Sequence, residues 1–248
     1  MKQNKYDDPD FFVKYSEMPR SLYGLEAAGE WPFFRALLPD LHNKRVLDLG
    51  CGFGWHCRYA RREGAQSVVG VDLSEKMLEQ AKAATNDPAI EYRQCAIEDL
   101  DFAPAQFNAV ISSLALHYID NFDWVCRNVH RWLTTGGAFI FSVEHPMFTA
   151  RAEQQWCLGA NEERLHWPVD NYQEQGARHT QWMADDVIKY HRTTATYVNT
   201  LIDAGFQIAR LVEPMPSAEM LAANPEWKDE YRRPTFMLMK AVKAKPAL

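Results

Sequence analysis

Hydrophobic and polar positions along the chain follow two periods. Seven short apolar runs, at 46–49, 67–71, 90–95, 107–113, 138–143, 206–212 and 235–242, read as β-strands. Stretches with apolar residues at helical spacing lie between the first five. One helix runs from 55 to about 62. A second opens at Ser74, an N-cap residue, with Met77, Leu78 and Ala81 facing inward. A third covers 123–133, with Trp124, Val125, Val129 and Trp132 on one face. A fourth covers 193–204 and stops at Gly205. Ahead of the first strand, 11–15 and 22–38 also have helical spacing, punctuated by Pro19 and Pro39. Strand and helix in alternation require a parallel sheet with helices on both faces. No helix of crossover length separates the last two strands, which predicts an antiparallel hairpin at one edge. The expected fold is α/β: a doubly wound, mostly parallel seven-stranded sheet with an antiparallel terminal hairpin.

One segment breaks the alternation. From about 147 to 192 the chain is rich in Trp, His, Gln, Glu and Arg and has little regular periodicity. A long irregular insertion in a compact domain is commonly a lid or a binding loop, and its many aromatic residues argue against disorder. The expected organisation is a helical flap over 1–42, a ligand-binding core over 43–146, a lid or substrate insertion over 147–192, and completion of the core sheet over 193–248.

Composition narrows the function classes. The chain has 248 residues, of which 47% are hydrophobic, enough for a substantial core. A formal charge of −6 argues against a nucleic-acid binder, and no apolar run is long enough to span a membrane. The first residues lack the apolar centre of a signal peptide. The five cysteines are scattered, odd in number and without a C-x-x-C pair, which fits reduced thiols in a cytoplasm and neither a disulfide framework nor a metal centre.

The chemistry concentrates at Val46-Leu47-Asp48-Leu49-Gly50-Cys51-Gly52-Phe53-Gly54, followed by the helix that begins near Trp55. Strand, glycine turn and helix form a nucleotide-binding crossover. The glycines occur as G-x-G-x-G, whereas a dinucleotide fold uses G-x-G-x-x-G. The next strand ends in Asp72, an acceptor pair suited to two ribose hydroxyls. Together with Leu73-Ser74-Glu75-Lys76-Met77, these residues resemble the class I S-adenosylmethionine-dependent methyltransferases, in the branch with the small-molecule type 11 methyltransferase domain. The likeness spans roughly 45–145.

That resemblance implies S-adenosyl-L-methionine as cofactor, S-adenosyl-L-homocysteine as product, and a set of site residues at the strand ends. Asp48 and Gly50 would meet the methionine amino group, with a structural role for Asp48 as the alternative. Cys51, Gly52 and Gly54 would let the backbone approach the ligand. Asp72 would hold the ribose. Leu73, Met77, Ala96, Ile97 and Glu98 would surround adenine; Ala96 stands where many relatives carry an acid. Ser113 and Leu114 would line the sulfonium side, and Tyr15 and Arg20 would reach over the amino-acid end from the flap. His117 and His145, at adjacent strand ends, are the candidate general bases. Tyr118, Trp156, Tyr172 and His191 are weaker candidates for the substrate pocket.

Ser112-Ser113-Leu114-Ala115 differs from the Asn/Asp-Pro-Pro-Tyr of exocyclic-amine enzymes, and no Pro-Cys nucleophile or metal-binding carboxylate cluster is present. A small-molecule acceptor is therefore expected, with neither nucleic acid nor membrane as partner, in a monomer or homodimer. Two other readings compete: an NAD(P)-dependent oxidoreductase on a related sheet, and a catalytically silent cofactor-binding scaffold.

Overall fold

The structure, a computed structural model, describes residues 2–244. Three short helices precede the sheet: α1 (Pro9–Ser16), α2 (Pro19–Tyr23) and α3 (Trp31–Leu37). Gly24, at φ +74°, breaks the longer helix that the periodicity suggests over 22–38. The sheet then begins with β1 (Arg45–Leu49), α4 (Trp55–Arg62), β2 (Ser67–Asp72), α5 (Glu75–Ala83) and β3 (Ile90–Gln94). It continues with β4 (Phe107–Ser113), α6 (Phe122–Trp132) and β5 (Leu133–Glu144), which begins five residues earlier than its apolar centre indicates.

The insertion follows: α7 (Pro146–Thr149), β6 (Cys157–Leu158), β7 (Arg164–His166), β8 (Gly176–Trp182) and β9 (Ala184–His191). The chain closes with α8 (Thr194–Asp203), β10 (Phe206–Val212), α9 (Ala218–Ala223) and β11 (Phe236–Lys243). The seven-stranded sheet has the order β10-β11-β5-β4-β1-β2-β3. β11 pairs antiparallel with both β5 and β10, and the neighbours from β5 to β3 pair in parallel. The expected hairpin is thus at the edge, with the last strand as its inner member.

Caps fix the helix starts. Ser74 accepts from Met77 N at 3.1 Å, Asn121 from Trp124 N at 2.9 Å and Thr193 from Thr196 N at 3.1 Å. Each satisfies an N–H that the helix itself cannot pair. The sheet buries both faces. One carries Phe102, Phe107, Trp132, Phe139, Phe141 and Tyr197; the other carries Trp31, Phe34, Ala60, Leu78, Ile140 and Leu238. Asn108 joins three strands at their starts. Its Oδ1 accepts from Arg45 N at 3.0 Å and its Nδ2 donates to Thr134 Oγ1 at 3.3 Å, a bond an aspartate could not donate.

Strand order reverses between β1 and β4, so their carboxyl ends diverge and open a crevice. The insertion is more regular than its sequence indicates. β8 and β9 form an antiparallel hairpin that leans over this crevice. The N-terminal segment crosses it too. Gln3 Oε1 accepts from Ile188 N at 2.8 Å, Lys14 Nζ donates to Met183 O at 2.8 Å, and Asp7 accepts from Ser74 Oγ at 2.5 Å. These contacts tie the flap to β9 on one side and to the start of α5 on the other. Among the described residues, no helix is long and apolar enough to cross a membrane.

Candidate active site

The crevice is a cavity of about 840 Å³. This is towards the upper end of the range for small-molecule sites. Its floor is the run after β1. Gly50 N and Cys51 N both donate to Val71 O, at 2.8 and 2.9 Å, which ties the glycine turn to β2. Gly50 adopts φ +75°, and a Cβ built on it would lie 2.4 Å from Ala115 Cβ. Gly52, at φ +51°, has nothing within 4 Å of such a Cβ, so its missing side chain is cavity space.

Asp72 joins this turn to the next crossover. Its Oδ2 accepts from Gly52 N at 2.8 Å and its Oδ1 from Ser74 N at 2.9 Å. Each oxygen keeps a second lone pair, and together they face the cavity as a rigid acceptor pair. Burial raises the Asp72 carboxyl above its ordinary value, and the two N–H donors oppose that shift. Leu73, Met77, Ala96 and Ile97 give the neighbouring wall an apolar slot, with Glu98 at its rim. Ser113 and Leu114 line the opposite wall. Leu114 takes φ +53°, an uncommon conformation for a leucine, held by Leu114 N donating to Ser142 O at 3.0 Å.

Several expected residues lie elsewhere. Gly54 is off the cavity wall; a Cβ there would lie 2.2 Å from the Tyr92 hydroxyl, so this glycine makes room for Tyr92. Asp48 is also off the wall. It is 0% exposed beneath the turn, where Oδ2 accepts from the Cys57 thiol at 3.3 Å and Oδ1 has no partner among the described residues. It caps no N–H group, because its position between β2 and β4 places it inside the sheet layer. Burial pushes its pKa up to about 7.

A raised carboxyl pKa favours folding while the group is protonated in both states, and the benefit is lost as pH rises through the folded value. Buried His56 and His117, both pushed down to about 4 by burial, act in the opposite sense at acid pH. The difference between wild type and Asp48→Asn isolates the carboxyl. Measured by denaturant unfolding of the ligand-free protein, the variant gains on wild type between about pH 4 and pH 7 and keeps that gain above. A pH-independent difference would disprove the assignment.

The flap residues Tyr15 and Arg20 reach the cavity. Arg20, however, is already engaged: it makes a two-pronged pair with Glu30, at 2.9 and 3.0 Å. It therefore shapes the wall with a charge that Glu30 already balances. Tyr15 packs edge-on against Tyr6, Phe53 and Trp182.

Neither histidine is placed as a base. His145 is outside the cavity and both ring nitrogens are used. Nδ1 accepts from Met147 N at 3.0 Å, capping α7, so Nε2 carries the proton and donates to Glu213 at 2.9 Å. His117 does line the cavity, but its Nδ1 accepts from Glu144 N at 3.3 Å. Its proton therefore sits on Nε2, and the ring's remaining nitrogen is a donor. Burial, aided by Lys189 and Arg192 and opposed by Glu144, pushes its pKa down to about 4.

Of the weaker candidates only Tyr118 lines the cavity. Trp156 packs under Arg232, with 4.4 Å from the guanidinium carbon to the ring centroid. Tyr172 donates to Thr194 Oγ1 at 3.2 Å, and His191 bridges Thr149 and the Tyr172 carbonyl. These three hold the insertion together.

The sequence reading missed a polar ring at the cavity's far end. Lys189 Nζ donates to Glu144 Oε1 at 2.6 Å and to Gln154 Oε1 at 3.0 Å, and Gln154 Nε2 donates to Glu144 Oε2 at 3.0 Å. Burial alone would raise Glu144, but His117, Lys189 and Gln154 outweigh it and keep the carboxyl below its ordinary value. Lys189 is 1% exposed, yet it borders the cavity. One signal was available: Lys189 is in phase with Val187 and His191, the buried register of β9.

A methyltransferase-domain family model matches residues 47–141. An S-adenosylmethionine-dependent methyltransferase from Mesorhizobium loti superposes with a TM-score of 0.84 at 44% identity, covering 88% of this chain and 100% of that one. A ubiquinone biosynthesis O-methyltransferase from Idiomarina loihiensis is 35% identical over 190 residues, which are 70% of this chain and 75% of the relative. An uncharacterized Haemophilus influenzae protein is 37% identical over 98% of each chain.

Proposed function

The chain belongs to the S-adenosylmethionine-dependent methyltransferases, and from that premise we propose that it methylates a small-molecule acceptor held between the sheet rim and the insertion. It is an enzyme, and its methyl donor is S-adenosylmethionine, which supplies an electrophilic sulfonium methyl. The residues present suit that donor. Asp72 offers a fixed acceptor pair for a ribose, Leu73, Met77 and Ile97 an apolar slot for a base, and Gly52 the open space a backbone-hugging ligand needs. The observation that carries this reading is the Asp72 carboxylate locked by Gly52 N and Ser74 N at the cavity wall.

Alignment is the main task left to the protein. The flap and the β8–β9 hairpin cover part of the cavity, and Ser113, Leu114, His117 and Tyr118 bound the space where an acceptor meets the methyl group. A small molecule suits this site, because the N-terminal segment and β9 narrow its approach. Titration calorimetry tests the donor site: S-adenosylhomocysteine is expected to bind at one equivalent, and NADH to give no heat. Absence of S-adenosylhomocysteine binding would remove the proposal.

A further inference from the structure

We propose that the acceptor's nucleophile is an oxyanion, a carboxylate or an acidic enol that arrives already ionised, held by Lys189 and His117. This rests on the methyl-transfer reading above. Three observations at the far end of the cavity point the same way.

The first is that neither histidine is free to act as a base there, and nor is Glu144. His117 Nδ1 is occupied by Glu144 N, and His145 lies outside with both nitrogens bonded. Glu144 is held ionised by two donors, which makes it a poor proton acceptor. A neutral alcohol or an ammonium acceptor needs a base to take its proton; an oxyanion needs none.

The second is the charge balance. The charged groups that act on His117 are Glu144, Lys189 and Arg192, two cations against one carboxylate. Lys189 is paired with Glu144. Arg192, 7% exposed, lies off the cavity wall among the Phe122, Tyr190 and Tyr197 rings, where it donates to the Ile119, Asp120 and Tyr190 carbonyls and has no carboxylate partner among the described residues. Its charge acts on His117 from behind the wall, and in a low-dielectric interior it favours an anion beside that ring.

The third is the donor set. Two of the three ammonium protons of Lys189 are used within the ring, which leaves one, and His117 offers Nε2–H. Both residues border the cavity. Gln154, which completes the ring, sits at φ +48°, a strained conformation for glutamine. Strain of that kind collects at functional sites. In the transfer, a C–O bond forms as the C–S bond breaks, the C–S electron pair stays on sulfur, and no proton moves.

The test incubates the full chain and methyl-tritiated donor with matched carboxylates, β-diketone enols, alcohols and amines, and with a deproteinised bacterial metabolite extract. Methyl esters release labelled methanol in mild base, enol ethers in acid, and N-methyl or alkyl ether products in neither. Base- or acid-releasable label is expected, the two distinguishing carboxylate from enol. Lys189→Met leaves Glu144 unpaired, so the neutral pair Lys189→Met/Glu144→Gln is the companion variant. Transfer by the double variant is expected to fall about a hundredfold. Its S-adenosylhomocysteine affinity should stay within about threefold, because neither residue is among those expected to hold the donor. Label that resists both treatments, transfer by the double variant at the wild-type rate, or no transfer by protein that binds S-adenosylhomocysteine would each overturn the oxyanion assignment. Failure to bind S-adenosylhomocysteine would instead bring down the parent reading.

Discussion

Replacing Asp72 with alanine is expected to lower the affinity for S-adenosylhomocysteine by about a hundred- to ten-thousandfold. Two hydrogen bonds from ribose hydroxyls to a charged carboxylate contribute about 1.5–3 kcal/mol each, and ten-fold in affinity corresponds to about 1.4 kcal/mol. A second effect adds to this. Asp72 also accepts from Gly52 N and Ser74 N, so the alanine variant frees the glycine turn from the start of α5. The cavity then loses its shape as well as its acceptor pair. Asp72→Asn separates the two contributions. One amide oxygen still accepts a backbone N–H, but the NH2 group faces the other N–H donor and cannot accept from a hydroxyl. Its loss of affinity is expected to lie between wild type and alanine, with a smaller drop in melting temperature. Calorimetry on all three proteins, with circular dichroism to confirm the fold, makes the comparison. Wild-type affinity in the alanine variant would show that Asp72 does not hold the ligand.

The sheet was legible because its signals are local. The central parallel strands are buried on both faces, so Val68-Val69-Gly70-Val71 and Phe139-Ile140-Phe141 read as unbroken apolar runs. The β8–β9 hairpin was not legible, because only one of its faces is covered. β8 reads Gly-Ala-Arg-His-Thr-Gln-Trp, with Thr180 as its single buried residue, and no apolar alternation survives. The donor half of the candidate site shows the same contrast. Gly50, Gly52 and Asp72 lie within one crossover, and chain connectivity brings them together. Asp48 and Gly54 belong to the same motif, yet they face the sheet interior and Tyr92, since strand alternation and the turn into α4 decide where each points.

The acceptor half assembles over long sequence separations. Lys189 and Glu144 are 45 positions apart, and nothing in either neighbourhood announces the pairing. Histidine roles were unreadable for a further reason. Whether a histidine serves as base, donor or cap depends on which nitrogen is already bonded, and that is set by backbone N–H groups such as Glu144 N and Met147 N. Residue type and strand-end position carry no information about it.

Gly50→Ala and Gly52→Ala, two positions apart in one turn, are expected to fail in different ways. At Gly50 an alanine must adopt φ +75° and place its Cβ 2.4 Å from Ala115 Cβ. The left-handed backbone costs about 1–2 kcal/mol and the overpacking about 1–3 kcal/mol. For a chain of this size that sum lowers the melting temperature by roughly 10 °C. Ala115→Gly removes the colliding atom. The double variant is therefore expected to recover the overpacking contribution and retain the backbone cost, a coupling of about 1–3 kcal/mol in a double-mutant cycle. At Gly52 no atom lies within 4 Å of the added methyl, so the fold bears only the backbone cost at φ +51°, about 1–2 kcal/mol. The methyl instead occupies cavity space beside Asp72, and S-adenosylhomocysteine affinity is expected to drop at least tenfold. Thermal melts without ligand and calorimetry with it, run on both alanine variants and the double variant, read the two effects separately. If Ala115→Gly restores none of the stability lost at Gly50, the close approach of the β1 turn to the segment after β4 is not what requires a glycine there.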